Sequence, residues 1–130
     1  MNYNLVVCSR SIMQTDKRGG MIPLEHCYAK LQTQDGQTID SISYDGKTGV
    51  SKGNTQIGSK CQPVQSISKP QWDIFQAKIH QQCQPENYSL ENNNCCSCLG
   101  RVLTEEVGKI PNIIQNAEAQ IKANYQFVDI

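Results

Sequence analysis

The sequence predicts a small α+β domain in which an antiparallel sheet packs against helices. Segments with the character of strands lie before Ile67, and segments with the 3.6-residue apolar period of helices lie after it. This segregation is typical of α+β domains rather than of chains in which strands and helices alternate. With 130 residues, the chain is long enough to bury a core, and residues 1–130 are predicted to form one domain.

Three strands are predicted in the first part of the chain, at residues 3–9, at residues 23–33 and from the following turn to Asp45. Residues 10–21, between the first two strands, are predicted to be a loop. The turn between the second and third strands contains Asp35-Gly36, a dipeptide that is typical of tight β-hairpins.

The Asp-Gly turn also predicts which residues face each other across this hairpin. If Asp35 and Gly36 form the loop, the numbers of two paired residues add up to 71. His26 is then the direct neighbour of Asp45. The apolar face of the hairpin is expected to contain the pairs Cys27 with Tyr44, Ala29 with Ile42, and Leu31 with Asp40.

The second part of the chain is predicted to hold three helices. The first follows Ser68, a candidate N-cap, and has Pro70 at an early position. The second begins at Cys95 and ends near Gly108, and the third is opened by Pro111. The other expected elements are a loop at 46–60, a short strand at 63–67 and an edge strand at 125–130.

Charge and hydropathy exclude several classes of partner. Twelve basic and twelve acidic side chains cancel, so the sequence has no electrostatic footprint for nucleic acid or for an anionic membrane. No window approaches the roughly 18 apolar residues of a membrane span, and no signal peptide is recognised. We expect synthesis in the cytoplasm and, if the protein acts outside the cell, export by a dedicated secretion system.

The seven cysteines are an odd number and are not spaced like the framework of a small secreted domain. The expectation is therefore a mostly reduced protein.

Cys95 is the strongest candidate for chemistry. An Asn-rich loop runs directly into it, and Asn93 or Asn94 is a good N-cap for the helix that follows. In the first turn of a helix, unpaired amides and the positive end of the macrodipole favour a thiolate, so the pKa of the thiol is expected to be lowered. Cys95 is accordingly predicted to be a nucleophile.

Two other interpretations of the cysteines remain open. Free cysteines are often buried as small apolar residues, so Cys95, Cys96 and Cys98 could simply pack under a helix. They could also bind zinc together with His80 and Cys83, although the chain has no pair of C-x-x-C knuckles and neighbouring cysteines on a helix point in different directions. We expect neither a metal nor another cofactor.

A thiol hydrolase needs an imidazole that exchanges a proton with the thiol and a third group that holds the imidazole. The chain has two histidines, and His80 lies on a helix where a surface role is sufficient. His26 is therefore the candidate base, and Asp45 is its candidate orienting partner. A slip of one residue in the hairpin would leave the third member open, with Asp40 or Ser43 as alternatives.

The segment Tyr88-x-Leu-x-x-Asn-Asn-Cys95, followed by Val102-Leu103, resembles the nucleophile segment of circularly permuted papain-like hydrolases. These are bacterial relatives of NlpC-type peptidases and of lecithin retinol acyltransferase. The segment His26-x-Tyr-Ala-x-Leu-x-x-x-Asp-Gly resembles their histidine strand, and histidine precedes cysteine here as it does in the permuted group. The resemblance covers residues 3–108 and implies a permuted papain-like fold with Cys95 and His26 as catalytic residues. Cys98 departs from the pattern, which often has an aromatic residue three positions after the nucleophile, and Cys96 is an unusual neighbour.

The resemblance implies an enzyme that cleaves an amide bond in a peptide or in peptidoglycan. Similar bacterial domains include peptidoglycan amidases, some of them secreted antibacterial effectors, for which a cognate inhibitor (immunity) protein is an expected partner. The alternatives are a cytoplasmic thiol protease or an acyltransferase of the same fold. A non-enzymatic Cys-rich binding module is an alternative from another class.

Overall fold

The computed structural model describes residues 2–45, 49–52 and 59–128. In these residues, an antiparallel sheet of five strands packs against three helices, which confirms the predicted α+β class. The strands are β1 (Asn2–Thr15), β2 (Met21–Gln32), β3 (Thr38–Asp45), β4 (Gly49–Lys52) and β5 (Lys60–Ser68). The helices are α1 (Lys69–Gln82), α2 (Cys95–Val107) and α3 (Asn112–Asn124), with short 3-10 turns at Pro85–Asn87 and Tyr125–Phe127.

The strand order in the sheet is β4-β3-β2-β1-β5, and β1 and β2 form a long hairpin. The prediction of a loop at residues 10–21 is wrong for most of that segment, because β1 continues to Thr15 and pairs with the start of β2. The turn is confined to residues 16–20, where Asp16 Oδ1 accepts the amides of Arg18 and Gly20, each over 2.8 Å. Main-chain pairing therefore extends the strand through polar residues that show no clear apolar pattern.

The hairpin of β2 and β3 has the predicted register over its central part. Ala29 pairs with Ile42 and Leu31 with Asp40, which confirms those two pairs. The turn is wider than expected, since the amide of Thr33 donates to the carbonyl of Gln37 over 2.8 Å and the register shifts next to it. At the other end, the described pairs stop at Tyr28 and Ser43, so the predicted pairs Cys27 with Tyr44 and His26 with Asp45 lie beyond them.

The segment predicted as a loop at 46–60 contains strand β4, which pairs with the outer edge of β3. Residues 46–48 and 53–58 of that segment lie outside the described residues. The strand predicted at 63–67 is confirmed as part of β5, which pairs with β1. The strand predicted at 125–130 is wrong for Tyr125–Phe127, which form a 3-10 turn, while Val128 makes one bridge to Asp16 and residues 129–130 are not described.

The ends of the helices follow the predicted signals. Ser68 caps α1 in a capping box, since its hydroxyl accepts the amide of Gln71 and the Gln71 side chain accepts the amide of Ser68. Asn94 caps α2, and Gly108 ends it in the left-handed conformation with φ of 82°. A residue with a side chain would be strained at that φ, which is why glycine suits this position.

The helices cover one face of the sheet and bury the main core. Trp72 and Phe75 of α1 lie at its centre, and the indole Nε1 of Trp72 donates to Asp40 Oδ2 over 2.9 Å. Val6, Cys8 and Tyr28 form a second, smaller cluster. Because side chains alternate along a strand, Tyr28 projects from the face of the sheet opposite to Cys27 and Ala29, which belong to the main core.

Six of the seven cysteines are paired in disulfides, so the expectation of a mostly reduced protein is wrong for this structure. The partners are 15 to 69 residues apart in the chain, and only the fold brings them together, which is why their spacing did not reveal them. The bonds are Cys8–Cys61 between β1 and β5, Cys27–Cys96 between β2 and α2, and Cys83–Cys98 between the end of α1 and α2.

No helix in the described part of the chain is long and apolar enough to cross a membrane.

Candidate active site

Cys95 is the first residue of α2, as predicted, and the Asn94 side chain accepts hydrogen bonds from the two amides that follow Cys95. The side-chain oxygen of Asn94 accepts the amides of Cys96 and Ser97, each over 2.9 Å. The hydroxyl of Ser97 in turn accepts the amide of Asn94 over 2.8 Å. The donors that were expected to stabilise a thiolate are thus largely occupied by the cap.

The sulfur of Cys95 lies against the main chain of β2. The amide of Cys27 donates a hydrogen bond to it over 3.4 Å, and the carbonyl oxygen of Glu25 is 3.6 Å away, within reach of the S–H group. These two groups flank His26 in the chain. They also lie just past Tyr28 and Ser43, the last described pair of β2 with β3. The sulfur therefore contacts β2 where its described pairing with β3 has ended.

Burial determines the protonation state of Cys95. The residue is only 3% exposed, and the apolar cavity beside it, which Cys27, Tyr44 and Leu99 help to line, measures about 10 Å³. Burial raises the pKa of the thiol to about 11, and the hydrogen bond from Cys27 opposes this only in part. The expectation of a lowered pKa is therefore wrong, because loss of water outweighs the helix terminus. At neutral pH the group is a thiol.

His26 lies between Glu25 and Cys27, whose main-chain groups contact this sulfur, but its ring points to the other face of the sheet. The imidazole stacks on Tyr28 with ring centroids 6.3 Å apart and an angle of 24° between the planes. Among the described contacts, no hydrogen bond joins the imidazole to the Cys95 sulfur. Burial lowers the pKa of His26, the charge of Asp45 raises it, and the charge of Arg10 lowers it further, with a net shift downward.

The charge of Asp45 affects the pKa of both His26 and Cys95. It acts to raise the pKa of His26, and it also acts to raise the pKa of Cys95. The alternative Asp40 accepts the indole N–H of Trp72 on the core face, and the alternative Ser43 pairs with Tyr28 as a strand residue. The structure thus brings Asp45 near His26 and near Cys95, whereas it does not bring the imidazole and the sulfur into contact.

Two tyrosines near Cys95 were not predicted as site residues. The rings of Tyr44 and Tyr88 meet edge to face with centroids 5.1 Å apart. Burial raises the pKa of Tyr88, the charges of Cys95 and Asp45 raise it further, and hydrogen bonding from the Cys95 main chain lowers it. Tyr88 therefore stands beside the thiol. Its place at the head of the Asn-Asn-Cys segment was the signal in the sequence that could have identified it.

The neighbouring cysteines have other roles. Cys96 is bonded to Cys27, and its sulfur lies 3.8 Å from the sulfur of Cys95. Cys98 is bonded to Cys83, so neither is available to a metal in this state. No cluster of three or more metal-binding side chains occurs among the described residues. His80 is exposed on α1, and Cys95 is the one cysteine without a disulfide.

Comparison with known proteins identified no relative of this chain. No model of a known protein family matches the chain, and neither the curated proteins nor the solved structures gave a match.

Proposed function

We propose that this chain is a cysteine-dependent hydrolase of amide bonds with a permuted papain-like fold. Cys95 is the nucleophile, His26 is the base and Asp45 orients the imidazole. The observation that carries the proposal is the state of Cys95, which alone among seven cysteines remains a free thiol. It lies at a helix start against the main-chain groups of Glu25 and Cys27, which flank His26.

The protonation states favour a general-base mechanism. A thiol with a raised pKa and an imidazole with a lowered pKa are both neutral at pH 7. His26 takes the proton while the sulfur attacks the carbonyl carbon of the substrate, and the carbonyl oxygen becomes an oxyanion. The C–N bond then breaks, the amine leaves with the proton from His26, and an acyl-enzyme remains. A water molecule activated by His26 releases the acid and restores the thiol.

Two movements must precede this reaction. The imidazole has to turn away from Tyr28 toward the sulfur, and the thiol, which is 3% exposed, has to be uncovered for a substrate. Under this proposal, the described arrangement is a closed resting form. The amide of Cys95, which interacts with the Tyr88 hydroxyl, is a donor that could move to the oxyanion, since Asn94 holds the next two amides.

Peptidoglycan is the substrate class that we propose, with the enzyme acting as a secreted antibacterial effector against which a producing cell needs an immunity protein. Three disulfides support action outside the cytoplasm, because such bonds persist in oxidising surroundings such as the bacterial periplasm, and they do not bear on the substrate. A thiol protease or an acyltransferase would use the same attack by Cys95 and would differ in the acyl donor or in the acceptor.

A second candidate is a non-enzymatic binding module whose cysteines are structural. The observation that favours it is the burial of the Cys95 thiol, which is neutral and closely packed. In that case, Cys95→Ala would change the stability of the fold and leave its biological activity intact.

The test is a panel of purified peptidoglycan, ubiquitin conjugates and acyl donors, with the products analysed by mass spectrometry. Wild type is compared with Cys95→Ala and with His80→Ala, a control that removes the exposed histidine of α1. We expect products of amide cleavage from peptidoglycan with wild type and His80→Ala and none with Cys95→Ala. Equal product with Cys95→Ala would refute the proposed chemistry, and absence of any product would favour the binding module.

A further inference from the structure

A free thiol and a disulfide lie side by side at the start of α2. The sulfur of Cys95 is 3.8 Å from the sulfur of Cys96, which is bonded to Cys27. Cys27 also touches Cys95 directly, since its amide donates to the Cys95 sulfur over 3.4 Å. Cys27 therefore faces both residues of the Cys95-Cys96 pair.

We propose that Cys27, Cys95 and Cys96 form an internal thiol–disulfide exchange site, in which Cys95 replaces Cys96 as the partner of Cys27. The Cys95 thiolate attacks the Cys27 sulfur and a bond forms between these two atoms. The bond between Cys27 and Cys96 breaks, and its electron pair leaves on the Cys96 sulfur. The proton that Cys95 gives up is taken up by Cys96, so the exchange consumes no oxidant and no reductant.

The position of Cys27 favours this product over a bond between Cys95 and Cys96. Adjacent Cα atoms in a trans peptide are about 3.8 Å apart, which is below the range of roughly 4.4–6.8 Å usual for disulfides. The Cα atoms of Cys27 and Cys96 are 5.0 Å apart, within that range. The amide of Cys27 already lies 3.4 Å from the Cys95 sulfur, so a bond between Cys95 and Cys27 needs side-chain rotation rather than a new course of the chain.

The exchange is slow in the closed form at neutral pH. The attacking species is the thiolate, and burial raises the pKa of Cys95 to about 11, so the thiolate fraction is small at pH 7 and grows with pH. Uncovering the thiol would increase the thiolate fraction as well.

The effect of this exchange on activity rests on the proposed function. With Cys95 in a disulfide, the nucleophile is blocked, and a return of the bond to Cys96 releases it. The chain would thus carry a reversible lock on its own active site.

The experiment reads the position of the free thiol without any substrate. The purified oxidised protein is incubated at pH 7 and at pH 9, quenched in acid, unfolded and treated with a light alkylating label, then reduced and treated with a heavy label. Tandem mass spectrometry of the peptide that contains Cys95 and Cys96 locates the light label. We expect the label on Cys95 at pH 7 and on both residues after incubation at pH 9. A label confined to Cys95 after prolonged incubation at pH 9 would overturn the proposal.

Two variants test directly which cysteine can bond to Cys27. In Cys96→Ser, oxidised glutathione should produce a bond between Cys27 and Cys95, whereas two free thiols in a folded variant would contradict the exchange geometry. In Cys95→Ser, the bond between Cys27 and Cys96 should persist at both pH values. If Cys96→Ser does not fold, the wild-type labels still decide the matter. Because no hydrolysis is measured, failure of the exchange is distinguishable from failure of the proposed function.

Discussion

The amide of Cys27 donates a hydrogen bond to the sulfur of Cys95 over 3.4 Å, and this contact links the sheet to the candidate nucleophile. The contact lies just past Tyr28 and Ser43, where the described pairing of β2 with β3 stops. A thiol is a weak acceptor, so the contact stabilises the protein little by itself. The contact instead places the sulfur next to the residue that follows His26, while burial keeps the sulfur protonated.

The burial of Cys95 predicts how the thiol reacts. One thiol per chain should be titrated after unfolding without a reducing agent, since the other six cysteines are paired. In the native protein, alkylation at pH 6.5 should be slow, and its rate should rise with pH toward a pKa of about 11. Mass spectrometry of the alkylated protein over a pH series measures this, with Cys95→Ser as the unlabelled control. Fast native labelling at pH 6.5 would indicate an exposed thiolate and contradict the closed form.

The pKa of His26 predicts a dependence of stability on pH. Its pKa is lowered in the folded state by burial, so the unfolded chain binds a proton more readily. Stability should therefore be greatest above the ordinary pKa of 6.5 and should fall as the pH decreases through 6.5 toward the lowered value. Urea unfolding at pH 7.5 and pH 5 should show a larger loss for wild type than for His26→Gln. His80→Gln is the matched control for removal of a histidine, and a wild-type loss no larger than that of His26→Gln would refute the burial effect.

The hydrogen bond between Trp72 and Asp40 predicts a stability effect outside the site. Trp72 is fully buried, and its Nε1 donates to Asp40 Oδ2 over 2.9 Å. Asp40→Ala should lower the free energy of unfolding by about 1–3 kcal/mol, because it leaves a buried donor without this acceptor. Asp73→Ala, which removes an exposed ion pair with Lys69 on the same helix as Trp72, should change it by less than about 1 kcal/mol. Equal effects in denaturant unfolding would show that the Trp72 contact is unimportant.

The cap of α2 predicts another measurable loss. Asn94 is 3% exposed and its side chain accepts two helix amides and donates to the carbonyl of Leu90. Asn94→Ala should cost about 0.5–2 kcal/mol of unfolding free energy, as for other N-caps. Asn92→Ala, in the same loop but exposed, should be nearly neutral. Thermal unfolding of both variants tests this, and a silent Asn94→Ala would mean that the loop is held by other contacts.

The parts of the fold that depend on local signals could be predicted from the sequence. Ser68, Asn94 and Gly108 mark helix ends through interactions with their own neighbours, and the Asp-Gly dipeptide marks the hairpin turn. The pairing of Ala29 with Ile42 is as predicted, although the turn is wider than a two-residue loop and the register shifts between Leu31 and Gln32. Long-range relationships could not be predicted. Strand β4 and the extension of β1 are stabilised by pairing with strands whose positions the local sequence does not contain.

In the candidate site as well, local features could be predicted from the sequence and long-range features could not. The place of Cys95 at a helix start follows from the Asn-Cys sequence, whereas its burial, its raised pKa and the disulfide beside it depend on how α2 packs on β2. The pairing of His26 with Asp45 remains a prediction, supported by the effect of the Asp45 charge on the pKa of His26. The direction of the His26 ring follows from its stacking on Tyr28, on the face away from the core.

The most direct test of the proposed chemistry is the turnover of the cleaved bond by wild type, Cys95→Ala, His26→Ala and the double variant, compared as kcat/KM. Each single variant should lose nearly all turnover and the double variant should be little worse, because a nucleophile and its base act as one unit. Asp45→Ala should retain more, with a loss of roughly one to four decades, and His80→Ala should match wild type. Substantial turnover by Cys95→Ala, or full turnover by His26→Ala, would contradict the assignment of Cys95 as nucleophile and His26 as its base.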